Sequence, residues 1–229
     1  MTSPDPRHPA GQSTPFPPEP WHLNGDMYAS LWRIRPQGLP RWPLPAETRP
    51  LIILGHCTLL TFWVDYRAPG TLAYREFLVA LAVRHRRRTA ATAVAAWVDD
   101  EQSLAGGHRL WGIPKQLGHF TFTTPSDANT PARTTHIHLG TEATPWAQAT
   151  YRPAARIPIR PTITGRLIQQ RQGETCVVPL KLAGSPSLAK TRLTCTPDGP
   201  LAFLNSHKPV LSLAIQGFRF TVGTTHTPT

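Results

Sequence analysis

The sequence is poor in charge and in cysteine, and both shortages exclude classes of protein. Charged residues make up 16% of the 229 residues, against about a quarter in an average globular protein. The three cysteines, Cys57, Cys176 and Cys195, are scattered, so we expect neither a disulfide framework nor a zinc ribbon. The longest apolar run, from Leu51 to Val64, is interrupted by polar positions and is too short to span a bilayer.

Targeting and nucleotide-binding motifs are also lacking. The N-terminus has no apolar signal region, so we expect a cytoplasmic protein without a membrane partner. The sequence contains no glycine-rich phosphate loop of the usual forms and no Gly-x-Ser-x-Gly elbow.

Proline and tryptophan, by contrast, are abundant. The 26 prolines argue against a helical bundle, and the 7 tryptophans suggest an aromatic-lined interior or pocket. Residues 1–20 hold seven of the prolines and are predicted to be a disordered or extended segment. We expect residues 21–229 to form a single domain, with Pro36 to Pro50 as a long loop lying on its body.

Short runs with apolar or alternating patterns begin at Leu51 and are separated by Gly, Pro, Asp and Ser. Such spacing predicts an antiparallel barrel or sandwich. The runs are Leu51–Phe62, Phe77–Val83, Ala90–Val98, His119–Thr124, Thr135–Leu139, Ala147–Tyr151, Thr162–Gln169, Thr175–Leu182, Ala189–Thr196 and Leu211–Val222.

Helical signals are few, and the best covers Asp99 to Ala105. Its acidic start suits a helix N-terminus, and Gly106-Gly107 is predicted to weaken or end the helix. Pro114 biases its predecessor towards an extended conformation, so residues 112–115 are predicted to form a fixed turn. Pro209-Val210 is consistent with either a short helix or a strand.

The net charge is +11, and one basic cluster stands out, Arg84-His85-Arg86-Arg87-Arg88. It lies between two predicted strands, so we interpret it as a solvated hairpin tip. Contact with nucleic-acid phosphate, or with an acidic partner or sister subunit, is the alternative. No aromatic stacking platform is evident near the cluster, so nucleic acid is not expected as a partner.

Two histidines, His136 and His138, share one face of a predicted strand. A metal site needs further ligands at suitable range, and the nearest acid, Glu142, lies beyond Gly140 in the next turn. We therefore interpret the pair as a polar strand face and predict neither a metal nor a cofactor.

Lys115 and Glu76 are the residues whose surroundings matter most for chemistry. Lys115 has apolar or aromatic neighbours, and desolvation there would lower its pKa and free an amine that attacks ketones. Local sequence alone nevertheless favours a surface lysine. Glu76 opens an apolar strand; it is either a general acid or base in a pocket or a solvated partner of Arg75.

The segment from Trp97 to Gly118 resembles the signature of the acetoacetate decarboxylase family. It has an aromatic-x-Asp strand end, an acidic helix start, the step Gly107-His108-Arg109, and Pro114-Lys115-Gln116 before a leucine. Tyr74-x-Glu76 and the stretch Phe203 to Val222 resemble the family more weakly, so the resemblance runs from about Trp21 to Val222.

The resemblance implies a mostly β (α+β) fold, a cone-shaped antiparallel β-barrel or double sheet with few short helices, assembled as a homo-oligomer. It implies that Lys115 forms a Schiff base with a keto compound and that Glu76 positions or protonates the intermediate. The residues expected to bind the substrate, some by this resemblance and some as candidate pocket aromatics, are Tyr28, Phe62, Tyr74, Trp97, Trp111 and Gln116, with Trp21 as a further aromatic candidate.

Four departures from the family pattern bear on the substrate. Gln116 replaces a second lysine, so desolvation must lower the Lys115 pKa alone or with His108 or Arg109. Arg109 itself stands where an acid is usual. The stretch 60–63 lacks the second glutamate of the decarboxylases, and the stretch 21–28 lacks their carboxylate-binding arginine, for which Arg33 or Arg35 would substitute only by a register shift.

These departures favour a larger, more apolar carbonyl compound over a small anionic β-keto acid. We expect a lyase that uses a lysine Schiff base, followed by decarboxylation or by an aldol, dehydration or cyclisation step on a specialised metabolite. The alternative is a non-catalytic small-molecule-binding barrel that has lost decarboxylase activity.

Overall fold

The computed structural model describes residues 14–124, 134–141 and 144–224. Strands dominate these residues, and one α-helix, α1 (Glu101–Trp111), and two short 3₁₀ turns accompany them. The strands are β1 (Trp21–Ile34), β2 (Thr48–Pro50), β3 (Ile52–Ile53), β4 (His56–Tyr66), β5 (Arg75–His85), β6 (Arg88–Val98), β7 (Lys115–Leu117), β8 (His119–Thr123), β9 (Thr135–Gly140), β10 (Pro145–Arg156), β11 (Thr162–Arg171), β12 (Glu174–Cys195) and β13 (Leu211–Val222).

Seven of the strands form a closed hydrogen-bonded circuit. The order is β11-β6-β5-β4-β1-β13-β12, and β12 pairs again with β11. Strands β10, β9 and β8 continue the sheet beyond β12. All pairings are antiparallel except β6 with β11 and β6 with β7. The mostly β, barrel or double-sheet prediction is confirmed, with two short parallel pairings that the sequence did not indicate.

Two strands differ from the sequence prediction. β1 was not recognised as a strand by its pattern, because Asn24, Gly25 and Asp26 interrupt the alternation where the register shifts. β12 is a single strand of 22 residues where two runs were predicted. Gly184 and Pro186 suggested a turn, but the strand continues through them with a register shift between Ala183 and Ser185. Residue 211, directly after Pro209-Val210, begins strand β13.

Helix α1 is longer than predicted. Asp100 caps it, because its side-chain Oδ1 accepts a 2.6 Å hydrogen bond from the Ser103 backbone N–H. The helix runs through Gly106-Gly107, which were predicted to weaken or end it, and stops at Gly112, whose φ of 67° is left-handed. The two glycines persist inside the helix because neighbouring side chains leave no room for a Cβ.

The segments outside the main strands follow the body of the protein. Residues 14–20 are irregular but packed, with Phe16 against the apolar interior, while residues 1–13 lie outside the described part of the chain. The basic cluster forms the tip between β5 and β6, as predicted. No helix in the described ranges is long and apolar enough to cross a membrane.

The alternation of side chains along the strands produces two apolar clusters. The first, which we call the packed core, contains Trp32, Trp63, Phe77, Trp97 and Tyr151 among others. The second surrounds the interior of the barrel and contains Trp21, Met27, Val64, Trp111 and Phe218 among others. Lys115 and Glu76 lie at the second cluster, so the barrel interior is where chemistry is expected.

Candidate active site

Lys115 opens strand β7, and local geometry aims its side chain into the barrel. The left-handed Gly112 ends helix α1, and β7 then pairs in parallel with β6, with Ala96 opposite Lys115. Since side chains alternate along an extended chain, Ile113 and Lys115 are buried while Pro114 and Gln116 are exposed. The Lys115 side chain is only 2% exposed.

Three oxygen-bearing side chains surround the Lys115 amine. Nζ lies 2.9 Å from Ser103 Oγ, 3.3 Å from Glu76 Oε1 and 3.4 Å from Tyr74 Oη. Tyr74 Oη in turn donates a 3.0 Å hydrogen bond to Glu76 Oε2. The roles that the family resemblance implies for Lys115 and Glu76 require the two side chains to meet in one pocket. The structure places the two side chains in direct contact and away from the surface that local sequence favoured.

Burial sets the electrostatics of this cluster. Desolvation is the main cause that lowers the pKa of Lys115 from its ordinary value, and the neighbouring Glu76 carboxylate opposes it. Burial also raises the pKa of Tyr74 well above its usual value, with Glu76 as the next cause, so Tyr74 keeps its proton. His108 contacts the backbone oxygen of Lys115 at 2.7 Å rather than the amine, and Arg109 is exposed. Desolvation therefore lowers the Lys115 pKa without help from a second lysine at position 116.

Helix α1 approaches the lysine closely because it carries glycine at the contact. A Cβ on Gly107 would lie 2.6 Å from Lys115 Cδ, and one on Gly106 would lie 2.4 Å from the Trp21 ring. The Trp21 ring centroid is 6.0 Å from the Lys115 amine. The glycine pair thus lets the helix cover the lysine and its aromatic neighbour.

A cavity of about 590 Å³ extends from the lysine through the barrel interior. Of the residues predicted to bind a substrate, Phe62, Tyr74 and Trp111 line it, together with Lys115 and Glu76. The lining is otherwise dominated by aliphatic side chains of β4, β5, β11 and β12 and by Phe220. Such an interior suits a compound with a substantial apolar body.

Three predicted substrate-binding residues do not reach this cavity. Tyr28 and Trp97 belong to the packed core, where the Tyr28 hydroxyl is 2.9 Å from Thr135 Oγ1. Gln116 is exposed. The physical reason is the two-residue alternation of strands: Met27 and Lys115 face the cavity, so Tyr28 and Gln116, their neighbours, face away.

Sequence reasoning missed two residues of the site. Ser103 is fully buried against the lysine amine, and its place in an acid-rich helix start gave no sign of this. Arg166 is the only arginine among the described lining residues of the cavity. The suggested substitutes are elsewhere: Arg33 donates to the backbone oxygen of Ile53, and Arg35 is exposed.

The histidine pair stays apart from the site. His136 and His138 are exposed on β9, as a polar strand face would be. Within the part of the chain that the structure describes, no group of three His, Cys, Asp or Glu residues is arranged to hold a metal ion.

Solved structures with the same fold are recognisable at low sequence identity. The enduracididine biosynthesis enzyme MppR, complexed with pyruvate, has a TM-score of 0.64 and 20% identity, over 95% of this chain and 93% of that one. An acetoacetate decarboxylase-like enzyme from Sphingomonas wittichii RW1 has a TM-score of 0.64 and 19% identity, over 89% and 90%. The acetoacetate decarboxylase from Legionella pneumophila has a TM-score of 0.63 and 14% identity, over 98% and 92%.

The family of the chain is identified from its sequence. No curated protein matches the chain significantly. The sequence profile named acetoacetate decarboxylase matches residues 4–178, which include Glu76, Ser103 and Lys115. The chain therefore belongs to the acetoacetate decarboxylase family.

Proposed function

We propose that this protein is a lyase that binds a keto compound covalently through a Schiff base on Lys115. The observation that carries the proposal is the buried Lys115 amine, held between the Glu76 carboxylate and two hydroxyl groups at one end of an apolar cavity. A lysine desolvated in an apolar pocket is a suitable nucleophile, and acetoacetate decarboxylase is itself the well-known example of a lysine activated by its surroundings.

The first half of the reaction follows from these contacts. A proton moves from the Lys115 ammonium to Glu76, which leaves a neutral amine and a neutral acid. The amine attacks the carbonyl carbon, the C–N bond forms, and the carbonyl oxygen takes up the proton that the attacking nitrogen loses. Glu76 then protonates the resulting hydroxyl, water leaves, and an iminium cation remains beside the Glu76 carboxylate.

The second half converts the iminium into an enamine by loss of CO₂, by carbon–carbon cleavage, or by removal of an α-proton. Glu76, 3.3 Å from the lysine nitrogen, is a carboxylate after the dehydration and removes the proton in the cleavage and α-proton branches. In the decarboxylation branch it regains a proton from water and delivers it to the enamine carbon. One MppR structure holds the condensation product of pyruvate and imidazole 4-carboxaldehyde, which supports carbon–carbon bond chemistry in this fold. The cavity lining lacks a second carboxylate in the described residues, which disfavours acetoacetate itself.

Borohydride trapping tests the proposal directly. The protein is incubated with acetoacetate, pyruvate or a larger ketone, reduced, digested and mapped by mass spectrometry. The chain has four lysines, and Lys181, Lys190 and Lys208 are exposed, so they serve as internal controls. We expect the adduct on Lys115, its loss in Lys115→Met, and its retention in Lys181→Gln.

An absence of adduct on Lys115 with every carbonyl compound would contradict covalent catalysis. It would favour the second candidate, a non-catalytic barrel that binds small molecules. The aliphatic lining of the cavity is the observation that supports this second candidate.

The assembly and location are further proposals. We propose a homo-oligomer, as the family resemblance implies, and a cytoplasmic location. Sedimentation equilibrium of the purified chain measures the first, and a monomer across the concentration range would contradict it.

A further inference from the structure

The cavity is elongated along strand β5. Glu76, Leu78, Ala80 and Ala82 are alternate residues of that strand, and all four line the cavity. At about 3.3 Å per residue, the six steps from Glu76 to Ala82 span roughly 20 Å. The lysine and the carboxylate therefore occupy one end of a long channel.

The half of the channel away from the lysine is lined by small side chains as well as leucines. Ala80, Ala82, Ala90 and Ala91 line this part, and β5 and β6 pair there with Ala82 opposite Ala91. At about 30 Å³ for each water-sized group, the channel holds on the order of 20 non-hydrogen atoms. Acetoacetate or pyruvate would fill only a small part of this space.

The outer end of the channel is positively charged. A second pocket adjoins it and shares Ala90 and Arg166 with it, and His85, Arg86, Arg87 and Arg88 line that pocket. Arg86 is paired with Glu47 at 2.7 Å. For Arg87, Arg88 and Arg166, the described residues supply no carboxylate partner within salt-bridge distance. Several guanidinium groups thus face the outer end without a neutralising acid.

We propose that the substrate is a linear amphiphile with a keto group near one end and an anionic group at the other. The keto group reaches Lys115, the apolar chain fills the channel beside Phe62 and Leu78, and the anion pairs with Arg166 and its arginine neighbours at the outer end. The inference rests on the proposed function for the covalent step. It assigns to Arg166 the anion-binding role for which Arg33 and Arg35 were considered, but at a position that requires a long substrate.

The order of the groups on the substrate follows from the channel. An anion next to the keto group, as in pyruvate, would lie beside the Glu76 carboxylate and the apolar side chains around it, where a second negative charge is costly. An anion separated from the keto group by a chain of roughly 12 to 16 carbons would reach the basic end, because the span is roughly 20 Å.

Trapping with a graded set of keto acids tests the length. The two probes are levulinate, which is a short keto acid, and a keto acid of roughly 16 carbons whose keto group is next to its terminal methyl group, so that about 13 carbons separate the keto and carboxyl groups. We expect half-maximal labelling of Lys115 at a concentration about 100-fold lower for the long probe, because each buried methylene adds affinity. Equal half-maximal concentrations for the two probes would overturn the inference and leave the proposed function standing.

Two variants test the channel and the proposed anion-binding arginine separately. Ala82→Phe places a large side chain in the outer half, so the 100-fold preference for the long probe should fall to about 10-fold or less. Ala154→Phe, at an exposed position of β10, should keep the preference. Arg166→Gln should weaken binding of the long acid about 10-fold but should leave binding of its neutral methyl ester unchanged. Arg152→Gln, at another exposed position of β10, should change the binding of neither compound. A long alkyl phosphate ketone in place of the acid shows which anion binds more tightly.

A measurement without covalent chemistry keeps the two proposals distinguishable. Binding of a saturated long-chain carboxylate to Lys115→Met, followed by calorimetry, needs no Schiff base. Binding that weakens about 10-fold in Arg166→Gln would support the channel even if no carbonyl compound labels Lys115. No binding of this carboxylate, together with no length preference in trapping, would overturn the inference.

Discussion

Strands β4 and β5 have two faces, and the faces serve different purposes. On one face, Leu59, Thr61 and Trp63 of β4 belong to the densely filled side, where Trp63 and Phe77 have ring centroids 4.1 Å apart. On the other face, Leu60, Phe62 and Val64 line the cavity. The same backbone therefore supports a solid core and a hollow one.

The polar groups of the two faces differ as well. In the packed core they form small fixed groups: Trp32 Nε1 donates to Thr61 at 3.0 Å, and the Ser30 hydroxyl lies 2.8 Å from that of Tyr151 and 2.9 Å from that of Ser212. At the cavity they gather around one lysine. Strand periodicity thus separates the residues that hold the fold from the residues that carry the proposed chemistry.

The largest expected effect is the loss of stability caused by a substitution on the packed face. Trp63→Ala should lower the free energy of unfolding by about 3 to 5 kcal/mol, because it leaves a cavity among buried rings. Leu78→Ala, which enlarges an existing cavity, should cost about 1 to 2 kcal/mol. Urea unfolding measures both, and equal losses would mean that the two faces are packed alike.

The next largest effect is on Schiff-base formation at the face that lines the cavity, and it concerns Glu76. Glu76→Gln should slow Schiff-base formation about 100- to 1,000-fold, because no acid then protonates the departing hydroxyl. Since the Glu76 carboxylate opposes the lowering of the Lys115 pKa, its removal should also shift the pH midpoint of labelling downward. Labelling rates against pH give both quantities, with the exposed Glu174→Gln as control. An unchanged midpoint would show that Glu76 does not act on the amine.

A smaller effect distinguishes the two glycines of helix α1. Gly107→Ala pushes on the flexible Lys115 side chain, so labelling should fall about 10-fold while stability changes by less than about 1 kcal/mol. Gly106→Ala meets the rigid Trp21 ring and should cost about 1 to 3 kcal/mol. Parallel labelling and unfolding measurements would refute this assignment if Gly107→Ala lost stability and kept its labelling.

The smallest effect is the pH dependence that Lys115 contributes to stability. Its folded pKa is lowered below the ordinary value of 10.5, so the unfolded chain binds more protons in the window between the folded pKa and 10.5. Stability from this group is complete above 10.5 and is lost as the pH falls through the folded pKa.

Lys115→Met should remove this part of the rise of stability with pH. The measurement is the difference between wild-type and variant free energies of unfolding across that window, which cancels the titration of other groups. A difference that does not vary with pH would mean that the Lys115 pKa is not lowered.

The sequence predicted the fold class and the approach of Lys115 to Glu76 through the family resemblance, while local sequence favoured the surface for both. The reason is that their burial depends on distant strands: Val64 lies opposite Glu76, and β13, which supplies Phe220 and Val222 to the cavity, lies over 90 residues beyond Lys115. No local pattern contains those contacts.

The misplaced residues have an equally physical cause. β1 was not recognised as a strand by its pattern, so the parity that turns Met27 inward and Tyr28 outward could not be assigned. A one-residue difference on a strand changes the face. Ser103 and Arg166 were missed because their positions depend on where helix α1 packs on the barrel and where strand β11 closes it against β6 and β12, which sequence spacing does not reveal.

The pairing of β1 with β13 has a consequence for synthesis of the chain on the ribosome. Strand β13 completes the barrel wall around the cavity at Lys115, and such long-range pairing forms late. Until residue 222 has emerged, we expect Lys115 to be an ordinary hydrated ammonium with little reactivity towards aldehydes and ketones. If Lys115 is the nucleophile proposed above, the order of synthesis keeps it unreactive until the barrel is complete.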